Sequence, residues 1–85
     1  MDVYMVLIER SSNISGKTAC LDSIYFSEED AWARIDEHSN WLYGPRYAHN
    51  IIFAEFRNKT YTVVYHNEVF GIKIVKYIIK HRRVL

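Results

Sequence analysis

One cysteine, one proline and three glycines are all that 85 residues hold of the amino acids that staple or interrupt a chain. Cys20 has no partner for an internal disulfide, which excludes the small secreted domains that disulfides hold together. No apolar run approaches the ~20 residues that a membrane helix needs. No basic-then-apolar leader follows Met1, so the expected setting is the cytoplasm, with no membrane contact. The sequons at Asn13-Ile14-Ser15 and Asn58-Lys59-Thr60 then read as chance matches.

Chemistry-bearing patterns are as scarce. His38, His49, His66 and His81 show neither H-x-H nor HExxH spacing and have no cysteine partner, so no metal site is expected. The paired acids Glu28-Glu29-Asp30 and Asp36-Glu37 sit where solvated helix charge belongs. Ser11 and Ser12 lack a Gly-x-Ser-x-Gly turn, and Gly16, Gly44 and Gly71 form no phosphate-cradling loop. The expectation is a non-enzyme with no catalytic residues, no metal and no cofactor. Cys20, within an apolar segment, reads as a plain buried thiol.

What is abundant is aromatic and asymmetric. Seven Tyr, four Phe and two Trp are many for one domain spanning residues 1–85, and such residues build interfaces as well as cores. The net charge of +1 conceals two unlike halves. Residues 1–42 hold eight acids against three bases, and residues 43–85 hold eight bases against two acids. One acidic and one basic surface should result, and a DNA-mimicking inhibitor, acidic throughout, is excluded.

Ser27 to His38 is the clearest element. Ser27 can accept from first-turn amides, Glu28, Glu29 and Asp30 complement the helix dipole, and Ala31, Trp32, Ile35 and Leu42 make one apolar stripe. Glu29, Arg34, Asp36 and Glu37 are left to face water. Val3 to Ile8 is apolar without a break, as befits a central strand covered on both faces. Arg10 to Lys17 reads as a polar loop, and Ala19 to Phe26 as a second strand returning antiparallel into Ser27. Gly44-Pro45 stops the helix. Ile51 to Phe56 and Thr60 to Tyr65 follow as strands, joined by a tight turn at Asn58-Lys59, with another turn at Asn67-Glu68.

Val69 to Ile79 is ambiguous. Lys73, Lys76 and Lys80 carry helical spacing, whereas the β-branched content and the preceding turn favour a strand. Lys80-His81-Arg82-Arg83 then forms a basic tail. The element order is ββαβββ: an α+β domain with an antiparallel sheet of four to five strands and one helix on one face. Because Ile72, Ile74 and Ile78 point opposite to Val75, Tyr77 and Ile79, one apolar face should be left for a partner or another copy, so a homo-oligomer is possible.

Two groups of residues suit such contact. Trp41, Tyr43, Arg46 and Tyr47 have the composition of an interface anchor, while Trp32 reads as core. Lys73, Lys76, Tyr77, Lys80, Arg82 and Arg83 supply a basic strand and tail. The expected function is an interaction protein that occupies a partner's surface. The alternative is a small nucleic-acid- or nucleotide-binding domain using a basic, Tyr-bearing sheet face, although Val69 to Ile74 lacks the stacking rings of an RNP strand.

Three segments together, Asp2-Val3-Tyr4-Met5-Val6, the Ser27-Glu28-Glu29-Asp30-Ala31 helix start after a strand, and Val69-Phe70-Gly71-Ile72-Lys73-Ile74, resemble small accessory proteins encoded by bacteriophages. The similarity is one of element order over nearly the whole chain. It implies a non-enzymatic protein that binds and blocks a host protein or complex in the host cytoplasm, of the host-takeover or anti-defence type. It carries over no functional residues.

Overall fold

Strands with apolar side chains on both faces belong in the middle of a sheet, and the two such strands here lie side by side. The computed structural model describes residues 1–12, 16–43, 51–67 and 71–84, and at 40–43 and 67 the backbone alone. The order along the chain is β1 (Asp2–Ser12), β2 (Gly16–Tyr25), α1 (Glu28–Tyr43), β3 (Ile51–Arg57), β4 (Thr60–Asn67) and β5 (Gly71–Arg83). One antiparallel five-stranded sheet in the order β2-β1-β5-β4-β3 carries the single described helix, an α+β fold. The principal extents are 46 × 26 × 19 Å, and the thinnest leaves room for one sheet and one helix layer.

The helix begins as its sequence dictates. Asp30 N–H donates to Ser27 Oγ at 3.1 Å, and Ala31 N–H donates to the Ser27 carbonyl at 3.3 Å. Ala31 and Ile35 are buried against Val6, Ile8, Val75, Tyr77 and Ile79, so the helix covers β1, β2 and β5. Trp32 is half-buried at the rim of this cluster and meets Phe56 edge-on at 4.7 Å. Leu42 lies in α1, but its side chain is outside the described residues.

Several expectations need correcting. The segment Arg10 to Lys17 is mostly strand: β1 runs to Ser12 and β2 starts at Gly16, paired from Arg10↔Thr18 to Ser12↔Gly16. Lys80 to Arg83 is no tail but the end of β5, paired with Asp2 to Met5 of β1. His81 secures that end by stacking on Tyr4 at 4.8 Å and placing Nε2 3.1 Å from Asp2 Oδ1. Val69 to Ile79 is strand from Gly71 onward; Glu68, Val69 and Phe70 lie outside the described residues. Cys20 is exposed rather than buried, because β2 is an edge strand.

Arg34 does not simply face water. A bulge in β2, where Val6 pairs with Ser23 and Leu7 with Leu21, leaves Asp22 as the extra residue. Arg34 Nε and Nη2 donate to the two Asp22 oxygens at 2.9 and 3.2 Å, tying helix to sheet. At the far end, Asn58 and Lys59 (φ 51° and 59°) form the tight β3–β4 turn, and Lys59 pairs with Glu28 at 3.2 Å.

Candidate functional site: the uncovered sheet face

Strand residues alternate between the two faces, and cross-strand partners share one. Tyr77 is on the helix face with 0% exposure, so Val75, Ile79 and His81 of β5 share that face, as does Lys73. Lys76, Ile78, Lys80 and Arg82 therefore point the other way, together with Ile72 and Ile74. Through register, Val3, Met5 and Leu7 of β1 join them, because Leu7 pairs with Ile78 and Met5 with Lys80. Leu21 and Ile24 of β2 extend the surface, 51% and 53% exposed, and Val64 and Phe53 extend it on the β4–β3 side. None of the described elements lies over this face.

It is an apolar floor with a row of cations along its middle strand. Lys76, Lys80 and Arg82 form no ion pair among the described residues. Glu9, opposite Lys76, is engaged by Lys17 at 3.0 Å. Lys17 and Arg57 add further positive charge at the flanks, against Glu9 and Glu55 alone. The face is thus net basic without being polar.

The residues expected to make contact are divided by this geometry. Lys76, Lys80 and Arg82 come together on the uncovered face. Lys73 and Arg83 are on the helix side. Tyr77 is enclosed in the core and is withdrawn as a contact residue: its hydroxyl lies 2.9 Å from His38 Nδ1, and burial pushes its pKa far up. Trp41 and Tyr43 are in α1 with side chains outside the described residues, where Arg46 and Tyr47 also lie. Leu7, Leu21 and Ile24, which complete the apolar floor, were not singled out from sequence; the uninterrupted apolar character of Val3 to Ile8 was the signal for the first of them.

A basic sheet bearing tyrosines on the same surface is not what forms. Tyr4, Tyr25, Tyr61, Tyr65 and Tyr77 all stand on the helix side, and no described tyrosine shares the face of Lys76, Lys80 and Arg82. Cations that track phosphates are present, but among the described residues the rings on their face are Phe53 and His66 at its β3–β4 side, not tyrosines interleaved with the cation row.

No family model, curated protein or solved structure matches this chain. Among the described residues no group of His, Cys, Asp and Glu is placed to hold a metal ion, and no helix is long and apolar enough to cross a membrane. Two partly buried groups on the helix side are shifted by their surroundings. The Arg34 guanidinium holds Asp22 below the usual carboxylate range, and burial with the nearby Arg34 charge lowers the pKa of His38.

Proposed function

We propose that this chain is a non-enzymatic interaction protein whose uncovered sheet face docks on an acidic surface of a partner protein and blocks it sterically. The observation that carries this reading is the pairing of an apolar floor with the cations Lys76, Lys80 and Arg82. An exposed apolar surface of this kind marks a contact site, and the cation row selects for acidic partners and speeds encounter. A second copy stacked face to face would oppose the two cation rows, which disfavours self-association through this surface. The resemblance to small phage-encoded accessory proteins makes a host protein or complex the expected partner, met in the host cytoplasm.

Charge reversal tests the proposal. A Lys76→Glu/Lys80→Glu variant, with stability checked by urea unfolding, should lose its co-purified partner, while Glu29→Lys on the helix surface should keep it. Partner affinity should fall as salt is raised. Retention of the partner by the first variant, or a dimer in light scattering that this variant dissolves, would overturn it. So would tight, salt-sensitive binding of single-stranded oligonucleotides lost in the same variant, which would transfer the face to nucleic acid.

A further inference from the structure

Among the described residues α1 packs chiefly on β2, β1 and β5, while β4 and β3 extend beyond it on the same side of the sheet. Between α1 and this extension is an open cleft of about 150 Å³, lined by Trp32, Ile35, Asp36, Ser39, Phe56 and Tyr61. Trp32, Ile35, Asp36 and Ser39 recur at helical spacing and form one stripe of α1 facing the cleft. The walls are three aromatic rings, with Trp32 and Phe56 inclined at 63° and 4.7 Å apart, and buried Ile35 forms the floor. Phe56 is 62% exposed and Asp36 is exposed, so the mouth is accessible.

Among the described residues lining the mouth, the one charged group is the Asp36 carboxylate. Asp36 forms no ion pair among the described residues, and Lys59 of the β3–β4 turn is engaged by Glu28 at 3.2 Å. Ser39 Oγ donates to the Asp36 backbone carbonyl, not to its carboxylate. An aromatic ring attracts a cation placed over its face through its quadrupole, and a carboxylate at the rim adds Coulombic attraction. Such a lining rejects anions, and it favours a cation whose own surface is apolar over a strongly hydrated one. The volume of the open cleft is of the order that three methyl groups on one nitrogen require.

We infer that the cleft bounded by Trp32, Phe56, Tyr61 and Asp36 is a binding site for a methylated ammonium group. The group can come from a trimethyl-lysine side chain on a protein or from a free choline-type molecule; both present the same head. This site is on the opposite side of the sheet from the cation row, and neither proposal rests on the other.

The test is a titration of the intact chain with choline, followed by NMR at the Trp32 indole and the Phe56 ring. Its neutral carbon isostere, 3,3-dimethylbutan-1-ol, is the comparison. Saturable shifts at both rings are expected, with choline bound at least about fivefold more tightly than the isostere. Phe56→Leu, which keeps an apolar side chain at an exposed position, and Asp36→Asn should each weaken choline binding roughly threefold to fivefold. Lys76→Glu should leave it unchanged. Tighter binding of a trimethyl-lysine peptide than of choline supports the site and assigns it to a modified protein; the reverse order supports it and assigns a small molecule. Equal binding of choline and the isostere, absence of saturable shifts at the two rings, or indifference to both cleft variants would overturn the inference.

Discussion

His38 Nδ1 and the Tyr77 hydroxyl meet at 2.9 Å beneath α1, joining the helix to the buried middle of β5. Both groups are held neutral, His38 by burial and the Arg34 charge, Tyr77 by burial. The unfolded chain therefore takes up a proton at histidine more readily than the folded one. The contribution of His38 is complete above its ordinary pKa of 6.5 and is lost as pH falls below it. On the alkaline side, an unfolded tyrosine ionises near its ordinary 10.0 while Tyr77 does not, so stability falls above that pH. Urea unfolding from pH 8 to 5 should show a decline that is shallower in His38→Gln, and Tyr77→Phe should cost about 1–2 kcal/mol at pH 7.

The forked contact between Arg34 and Asp22 anchors the bulged edge of the sheet. Asp22 keeps its charge to a lower pH than a free carboxylate because Arg34 donates to it. That stabilisation is present above the ordinary value of 3.8 and is lost as pH falls through the lowered one. Arg34→Lys cannot reproduce the fork, and its expected cost is about 1–2 kcal/mol in urea unfolding at neutral pH. A double-mutant cycle with Asp22→Asn should return most of that as coupling between the two.

At the β3–β4 turn, Lys59 adopts a left-handed backbone (φ 59°) that an L side chain resists. Replacing it with Ala keeps the strain and removes the exposed pair with Glu28, whereas Gly relieves the strain as well. Lys59→Gly should therefore be more stable than Lys59→Ala by about 1 kcal/mol, read as the difference in denaturation midpoints.

Two isoleucines separate contact from core. Ile24 is exposed on the uncovered face and Ile79 is buried beneath the helix. Ile24→Thr should change stability by less than about 0.5 kcal/mol, and Ile79→Thr should cost about 2–4 kcal/mol. Partner binding should follow the reverse order when measured on protein that remains folded.

Cys20 offers a direct check of the edge strand. Its exposure predicts that a thiol reagent modifies it fully in native buffer, at a rate that denaturant raises only modestly. A thiol that reacted only after unfolding would contradict the placement of β2.

Local rules were enough to find the helix start, since Ser27 and the acids after it act on their nearest amides. They were also enough to place β1 in the middle of the sheet and to separate Ile72, Ile74 and Ile78 from Val75, Tyr77 and Ile79. Which of those two faces the helix would choose is a tertiary matter, and that is why Tyr77 looked available from sequence alone. Lys80 to Arg83 resembled a solvated tail because its strand character comes from a partner some eighty residues away, with Asp2 and Tyr4 engaging His81. The cleft stayed hidden for a similar reason. Trp32, Asp36 and Ser39 are visible as a helical stripe, but Phe56 and Tyr61 reach them only through the turn of β3 into β4.

Only the seam between β1 and β5 unites an amino-terminal piece, β1-β2-α1, with the β3-β4-β5 meander in one sheet. The two pieces carry opposite net charge, which favours their approach electrostatically. Registry along that seam joins residues as distant as Asp2 and Arg83, which makes its closure entropically demanding. The same seam would accept the meander of a neighbouring chain in identical registry, so crowded refolding favours reciprocal exchange between copies.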